Sequence, residues 1–297
     1  MQEVYLCLDV GGTEIKAAPL DKRGKILAPV RHFPAMAGAD RQTLLENFGR
    51  IFSSICPENA VPIEIDLAFP GPFDYKNGIC LLQGLDKYDA LYGCNLRRAF
   101  SEISGLPEQK IQFINDAAAF ALGEMTFGQA TQAERALFVA VGTGCGSAFG
   151  VNGFLAEEGT PGVPPNGYFY NAPFRDSCVD DYISRRGLEK LSGEMLGMPL
   201  DGRALAERIA AGDEQAKACF RCFGEQLRDA LQPQIEAFCP DMLCMGGQIM
   251  ASAALFLHPL EELCANENIR LYITRDTSLR TMQGLTRAAS RMGKENA

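Results

Sequence analysis

The sequence predicts an α/β protein built as two lobes, and three observations predict it. At 297 residues the chain is longer than one hydrophobic core usually serves. Two glycine turns, Gly11-Gly12 and Gly142-Thr143-Gly144, each stand between apolar runs of strand length, one turn in either half of the chain. Between them "IQFI" has the composition of a strand and "AAAFALGEM" that of a helix. A strand, glycine turn and strand used twice points to two related lobes facing each other across a cleft. Each offers a glycine hairpin and a threonine hydroxyl, Thr13 in one and Thr143 in the other.

The elements follow in order. "VYLCLDV", "TEIKAAPLD" and "KILAPVRHF" read as three strands joined by tight turns. A dinucleotide fingerprint or a P-loop needs a helix directly after its glycines, and neither GxGxxG nor GxxxxGK[ST] occurs at a strand end. Glycine hairpins can instead hold phosphate through backbone N–H groups. An ordinary hairpin is the alternative for either turn alone; the pairing of the two favours phosphate. Lys16 falls on the second strand, where a surface role is as good a reading as a phosphate contact.

In "AFPGPFD", Pro70-Gly71-Pro72 is a rigid turn at a strand end, fit to form part of a cleft wall. Asn115 and Asp116 stand where a strand ends and a helix begins, so one of them is expected to cap the helix while the other projects into the cleft as a base. "RALFVAVGTGCGSAFGVNGFL" reads as strand, turn, strand and a hairpin at Asn152-Gly153.

Composition excludes several classes. The chain is 47% hydrophobic and 22% charged without low-complexity tracts, which fits a globular protein throughout. A formal charge of −9 repels phosphate backbones, so no nucleic-acid partner is expected and small molecules become the natural ligands. The opening "MQEVYLCLDVGG" lacks the pattern of a secretory signal, and no apolar run reaches the roughly 18 residues that span a bilayer, so a cytoplasmic protein without a membrane partner is expected. In a reducing compartment the eleven cysteines should mostly be small packed hydrophobes. His32 and His258 read as surface or packing residues.

"EEGTPGVPPNGYFYNAPFRDSCVDDYI", residues 157–183, holds four prolines and three glycines, which rule out a regular helix or a central strand. Its aromatic content is high for a solvated linker, so it reads as a shaped loop beside a site.

"LDVGGTEIK", "AFPGPFD", "INDAAAFALGE", "VGTGCGSAFGVNGFL" and "CPDMLCMGGQIM" occur in the order and spacing of the ROK sugar kinases, and the chain resembles that family over almost its whole length. The resemblance implies two ribonuclease-H-like lobes of the actin-like ATPase fold closing on ATP, Mg²⁺ and a sugar. The lobes are expected at 1–117, with a C-terminal helix 278–297 packing back on it, and at 118–277. Asp9, Gly11, Gly12 and Thr13 match the first phosphate motif, in which the aspartate helps to hold Mg²⁺ through water. Gly142, Thr143 and Gly144 match the second. Gly246, Gly247 and Gln248 match the glycine pair that borders the adenosine pocket. Asn115 matches a sugar-binding asparagine, Asp116 the catalytic base, and Gly71 lies in the turn expected at the sugar. A helix N-terminus favours ionised Asp116 and makes it a weak base by pKa, which a loose phosphoryl-transfer transition state tolerates.

The 157–183 loop departs from the family, whose members carry "GEIGH" and "CxCGxxGC" followed by Leu-Glu. Aligned without gaps, Pro165 replaces the first sugar-binding Glu and Tyr168 the zinc-binding His, and Asn171, Pro173 and Cys178 occupy the zinc cysteines' places. One ligand of four remains, so no structural zinc is expected. Prolines with Tyr168, Phe169, Tyr170 and Phe174 are expected to stiffen the loop instead. Asp180 falls where the second sugar-binding Glu stands. Gln83, Tyr88 and Tyr92 are candidates for further sugar contacts. The function this implies is ATP-dependent phosphorylation of a hexose or hexose derivative, with a homodimer as the assembly that family habit suggests. A non-catalytic sugar or nucleotide sensor and a sugar-independent ATPase remain as alternatives.

Overall fold

A computed structural model of the chain describes residues 2–84 and 87–292, with side chains to Arg287. Of the helix expected at 278–297, residues 293–297 therefore lie outside the described residues. The chain divides into two compact units, Met1–Gly128 with Ser278–Ala297, and Gln129–Thr277.

In the first unit β1 (Gln2–Val10), β2 (Glu14–Leu20) and β3 (Arg31–Pro34) form an antiparallel meander. The third strand is shorter than "KILAPVRHF" implies, because Pro29 interrupts the run and has no N–H for the ladder. Helix α1 (Arg41–Ile55) starts at Asp40, whose carboxylate accepts from the Thr43 N–H at 3.0 Å. It buries Leu44, Phe48, Ile51, Phe52 and Ile55 on one face. The chain then returns as β4 (Ala60–Phe69), parallel to β1. A hairpin of β5 (Phe73–Asp74) and β6 (Ile79–Cys80) and helix α2 (Leu96–Ser104) lead to β7 (Ile111–Asn115), parallel to β4, which feeds α3 (Asp116–Phe127). The sheet order is β3-β2-β1-β4-β7. An aromatic cluster fills one side of it, with Phe48 and Phe100 at 4.8 Å and Phe73 and Phe113 at 4.9 Å between ring centres.

The second unit repeats this plan. β8 (Arg135–Val141), β9 (Cys145–Val151) and β10 (Phe154–Leu155) are antiparallel, and Asn152 (φ 50°) and Gly153 (φ 78°) make the hairpin turn read from their dipeptide. The 157–183 loop contains a short pair, β11 (Pro173–Phe174) with β12 (Ser177–Cys178), and closes on a single helical turn, α4 (Val179–Tyr182), which its turn-rich composition hides. Helices α5 (Arg185–Leu196), α6 (Gly202–Ala210) and α7 (Glu214–Phe238) precede β13 (Met242–Gly246), and α8 (His258–Asn266) precedes β14 (Arg270–Ile273). The order β10-β9-β8-β13-β14, with β13 parallel to β8 and β14, matches the first sheet strand for strand.

Helix α9 (Thr277–Met292) follows β14. It packs on α3 through glycines: a Cβ on Gly123 would strike the Arg280 carbonyl, and one on Gly284 the Ala119 carbonyl. The Arg280 guanidinium, 3.3 Å from the fully buried Glu124 carboxylate, completes that contact. All eleven cysteines are free thiols. Cys219 and Cys222 have the Cys-x-x-Cys spacing but lie inside α7.

Candidate functional site

The first unit's site begins where β1 gives way to its glycine turn. The Gly11 N–H donates to the Glu14 carbonyl at 3.0 Å, and a Cβ on Gly11 would lie 2.8 Å from that same oxygen, so the turn requires a residue without one. The Ala35 N–H donates to the Thr13 carbonyl at 3.0 Å, which leaves the Thr13 side chain exposed. Tyr88, fully buried, donates its hydroxyl to the Gly11 carbonyl at 2.9 Å. Gly12 is overlain by Lys87, whose Cδ is 3.5 Å from where a Cβ on Gly12 would stand. Asp9, half-buried at the strand's end, faces Lys16 across the β1–β2 ladder. Lys16 is half-buried and donates to the Ser278 hydroxyl at 3.1 Å.

At the neighbouring end of β7, Asn115 is the residue that caps α3. Its Oδ1 accepts from the Ala117 and Ala118 N–H groups at 3.0 and 3.2 Å. Its amide nitrogen donates to the Tyr75 hydroxyl at 3.4 Å, and that hydroxyl donates to the Phe69 carbonyl at 2.9 Å. The Tyr75 hydroxyl also lies 3.5 Å from where a Cβ on Gly71 would stand, so Gly71, Asn115 and Tyr75 form one group. Asp116 is the half-buried first residue of the helix, and one carboxylate oxygen accepts from the Ala117 N–H at 2.9 Å. Burial raises its pKa above the ordinary carboxylate range; the Ala117 N–H and then the Lys87 ammonium pull the other way without overcoming it. Loss of solvent thus outweighs the N-terminal field expected to favour the ionised form, and the net shift has the opposite sign.

In the second unit, two glycine motifs meet. Gly247 adopts φ 97° and presses on the end of β8, where a Cβ would strike the Val141 carbonyl, next to Gly142. Its N–H donates to the Thr277 hydroxyl at 2.8 Å. Within the Gly142–Gly144 turn the Gly142 N–H donates to the Gly144 carbonyl at 2.9 Å, and Thr143 is exposed. Gly246 ends β13 opposite Ala140, and Gln248 is exposed at the start of a 3₁₀ segment.

The 157–183 loop is held by packing. Phe169 is fully buried, 6.2 Å from the Phe149 ring, and its N–H donates to the buried Ser147 hydroxyl at 3.1 Å. Phe174 meets Tyr182 edge-on at 5.2 Å. Pro165, Asn171 and Pro173 are exposed. Asp180 is engaged on both oxygens: Oδ1 accepts from the Cys145 N–H at 2.6 Å, and Oδ2 pairs with Arg186.

Of the expected sugar contacts, Tyr88 is corrected to a buried prop of the first turn, while Gln83 and Tyr92 are exposed. His32 and His258 are exposed beside Glu14 and Glu262. Sequence reasoning missed Tyr75, Lys87 and Thr277. Tyr75 lies in "GPFDY", four residues beyond Gly71, and only the hairpin geometry brings it back to Asn115. The carboxylate of Asp9, at the end of β1 beside the glycine turn, is a donor of the kind that suits Mg²⁺, which keeps several waters and binds through one or two carboxylates plus phosphate oxygens. Among the described residues no cluster of three or more His, Cys, Asp or Glu could hold a metal by itself, and no helix is long and apolar enough to cross a membrane.

The sequence profile of the ROK family matches residues 5–288. The chain belongs to the ROK family. Among its relatives, the glucokinase of Thermotoga maritima is 24% identical, the match covering 86% of this chain and 85% of that one. The N-acetyl-D-glucosamine kinase of Vibrio vulnificus is 26% identical over 82% and 84%. The crystal structure of a ROK glucokinase from Streptomyces griseus in complex with glucose and AMPPNP superposes with a TM-score of 0.75 at 18% identity, covering 95% of this chain and 98% of that one. The two-sheet α/β plan is thus that of the ROK sugar kinases, the actin-like ATPase fold.

Proposed function

We propose that this ROK protein is an ATP-dependent kinase of a hexose or hexose derivative, with Asp116 as the base. The observation that carries this reading is the grouping of Asp116, Lys87 and the bare Gly11-Gly12 turn at the end of one sheet. A carboxylate able to take a proton and a glycine turn share one ammonium, since Lys87 lies over Gly12 and acts on Asp116.

In this reading Asp116 accepts the proton of the attacking hydroxyl, and its raised pKa makes it a better base than an ordinary aspartate. Tyr75 and the Asn115 amide fix the strand end against which the sugar lies, with Gly71 beside them. The turns at Gly11-Gly12-Thr13 and Gly142-Thr143-Gly144 bind phosphates, and Gly246, Gly247 and Gln248 border the adenosine. Asp9 would hold Mg²⁺ through water, and the ion would supply neutralisation of the phosphate charge. Phosphoryl transfer is chiefly a matter of such positioning and neutralisation. The relatives' glucose and N-acetylglucosamine define the first substrates to try. The protein works in the cytoplasm, without nucleic acid, zinc or membrane, and a homodimer is the assembly proposed for it.

A panel of hexoses and N-acetylhexosamines with ATP, assayed on wild type and Asp116→Asn side by side, tests the reading. Turnover with at least one sugar and a loss of roughly 10²- to 10⁴-fold in the variant is expected. A folded Asp116→Asn protein that turns over like wild type removes Asp116 from the mechanism. The exposed Pro165 in place of a sugar-binding carboxylate favours a second reading, a sensor. Sugar binding without phosphorylation of any sugar would establish it, and ATP consumption without sugar would point to an ATPase.

A further inference from the structure

The Gly142-Thr143-Gly144 turn is gripped from behind by the α4–α5 segment. The Arg185 N–H donates to the Gly142 carbonyl at 2.8 Å, and the Asp180 carboxylate takes the Cys145 N–H at 2.6 Å. A Cβ on Gly144 would lie 2.9 Å from that same carboxylate oxygen, so the glycine is needed for Asp180 to come so close. Asp180 is itself fixed, its N–H donating to the Tyr170 carbonyl at 2.8 Å and its side chain only 17% exposed.

Two glycines in a three-residue turn leave it many conformations to lose when it orders around an anion. A grip on both flanks removes that freedom beforehand. The same grip sets a carboxylate close to a turn read as a phosphate site, where its charge would repel the ligand. Arg186, pairing with the second carboxylate oxygen, cancels that charge.

We propose that Asp180 is a positioning residue that holds the Gly142–Gly144 turn in its phosphate-binding shape, with Arg186 as its neutralising partner. Its carboxylate serves the nucleotide side of the reaction and is not a sugar ligand. The inference rests on the reading of this turn as a phosphate site.

The test is calorimetric binding of AMPPNP with Mg²⁺ and no sugar, to wild type, Asp180→Ala, Asp180→Asn, Arg186→Gln and the double variant Asp180→Asn/Arg186→Gln, with sugar binding measured in parallel. Asp180→Ala should weaken AMPPNP by roughly 10-fold or more, the worth of a charged acceptor, while Asp180→Asn, which keeps an acceptor for the Cys145 N–H, should stay within about threefold. Arg186→Gln should weaken AMPPNP, and the double variant should recover most of that loss. Sugar affinity should be unchanged in Asp180→Asn. A wild type that binds no AMPPNP overturns the phosphate reading and this inference with it. A wild type that binds, with an Asp180→Ala variant that binds equally or with sugar affinity as the property lost, overturns the inference alone. Should Asp180→Ala not fold, the Arg186→Gln and double-variant pair decides, since an uncoupled pair of losses contradicts the neutralising role.

Discussion

The hydroxyl of Tyr88 donates a 2.9 Å hydrogen bond to the carbonyl of Gly11, so the first glycine turn is fixed by a side chain more than seventy residues further along the chain. Tyr88 is fully buried, and burial raises its phenol pKa far above the range in which it would ionise. It therefore stays a donor at every pH of interest. Tyr88→Phe should preserve the packing against Phe48 and Phe69 and lose only this bond. The expected outcome is a stability loss of roughly 1 kcal/mol in urea unfolding, with a weaker affinity for nucleotide and an unchanged one for sugar. Unchanged nucleotide affinity would show that the bond serves stability alone.

The Asp116–Lys87 pair makes a prediction about pH. Burial holds the Asp116 carboxyl above its ordinary 3.8, and Lys87 is among the groups that limit the rise. A base must be ionised, so kcat/KM should increase with pH through an apparent pKa above that of a free aspartate. Removing the ammonium by Lys87→Met leaves burial less opposed, and the acid limb should move to higher pH. A limb that stays in place or moves down would separate Lys87 from Asp116.

Both glycine turns, the Asn115-Asp116 strand end and the Asn152-Gly153 hairpin were legible because each rests on local chemistry: a residue without a side chain, a cap, a dipeptide that accepts positive φ. Which of Asn115 and Asp116 caps was not legible, since both residue types cap equally well and the choice is made by Tyr75. The hydrogen bonds of Tyr88 and Asp180 to the backbone of glycine turns, at Gly11 and Cys145, were not legible, because sequence shows a side chain's type and neighbourhood but not which backbone atom it reaches. The sign of the Asp116 shift depends on packing around the helix end, which no local pattern encodes.

Two glycines of the second unit separate structural from functional need. Gly247 combines φ 97° with a close approach to the Val141 carbonyl, so Gly247→Ala should destabilise by roughly 2 kcal/mol or more through strain and overlap. A Cβ on Gly142 would meet nothing within 4 Å, so Gly142→Ala should unfold within about 0.5 kcal/mol of wild type. If phosphate approaches that backbone closely, Gly142→Ala will nonetheless bind AMPPNP more weakly. Thermal melts and titrations on the two variants check both halves, and wild-type nucleotide affinity in Gly142→Ala would place the phosphate elsewhere.

Asp66, which has no role in the proposed chemistry, carries the last prediction. It is 3% exposed on β4, next to Cys7 across the ladder, and one carboxyl oxygen lacks a hydrogen-bond partner. Burial, then the neighbouring Glu64, pushes its pKa well above 3.8, while Lys110, 3.5 Å from the Glu64 carboxylate, only partly compensates. Below the ordinary value both folded and unfolded chains hold the proton, and stability is complete. Above it the unfolded chain ionises and the folded one does not, so stability falls with rising pH by at most about 1.4 kcal/mol per unit until the folded pKa is passed. Asp66→Asn has no proton to lose. Its stability relative to wild type should grow as pH rises above the ordinary carboxylate range, until the folded pKa of Asp66 is passed, in urea unfolding with turnover unaffected. Parallel stability curves for the two proteins would mean that Asp66 is ionised in the folded state, and that the Lys110 charge wins over burial.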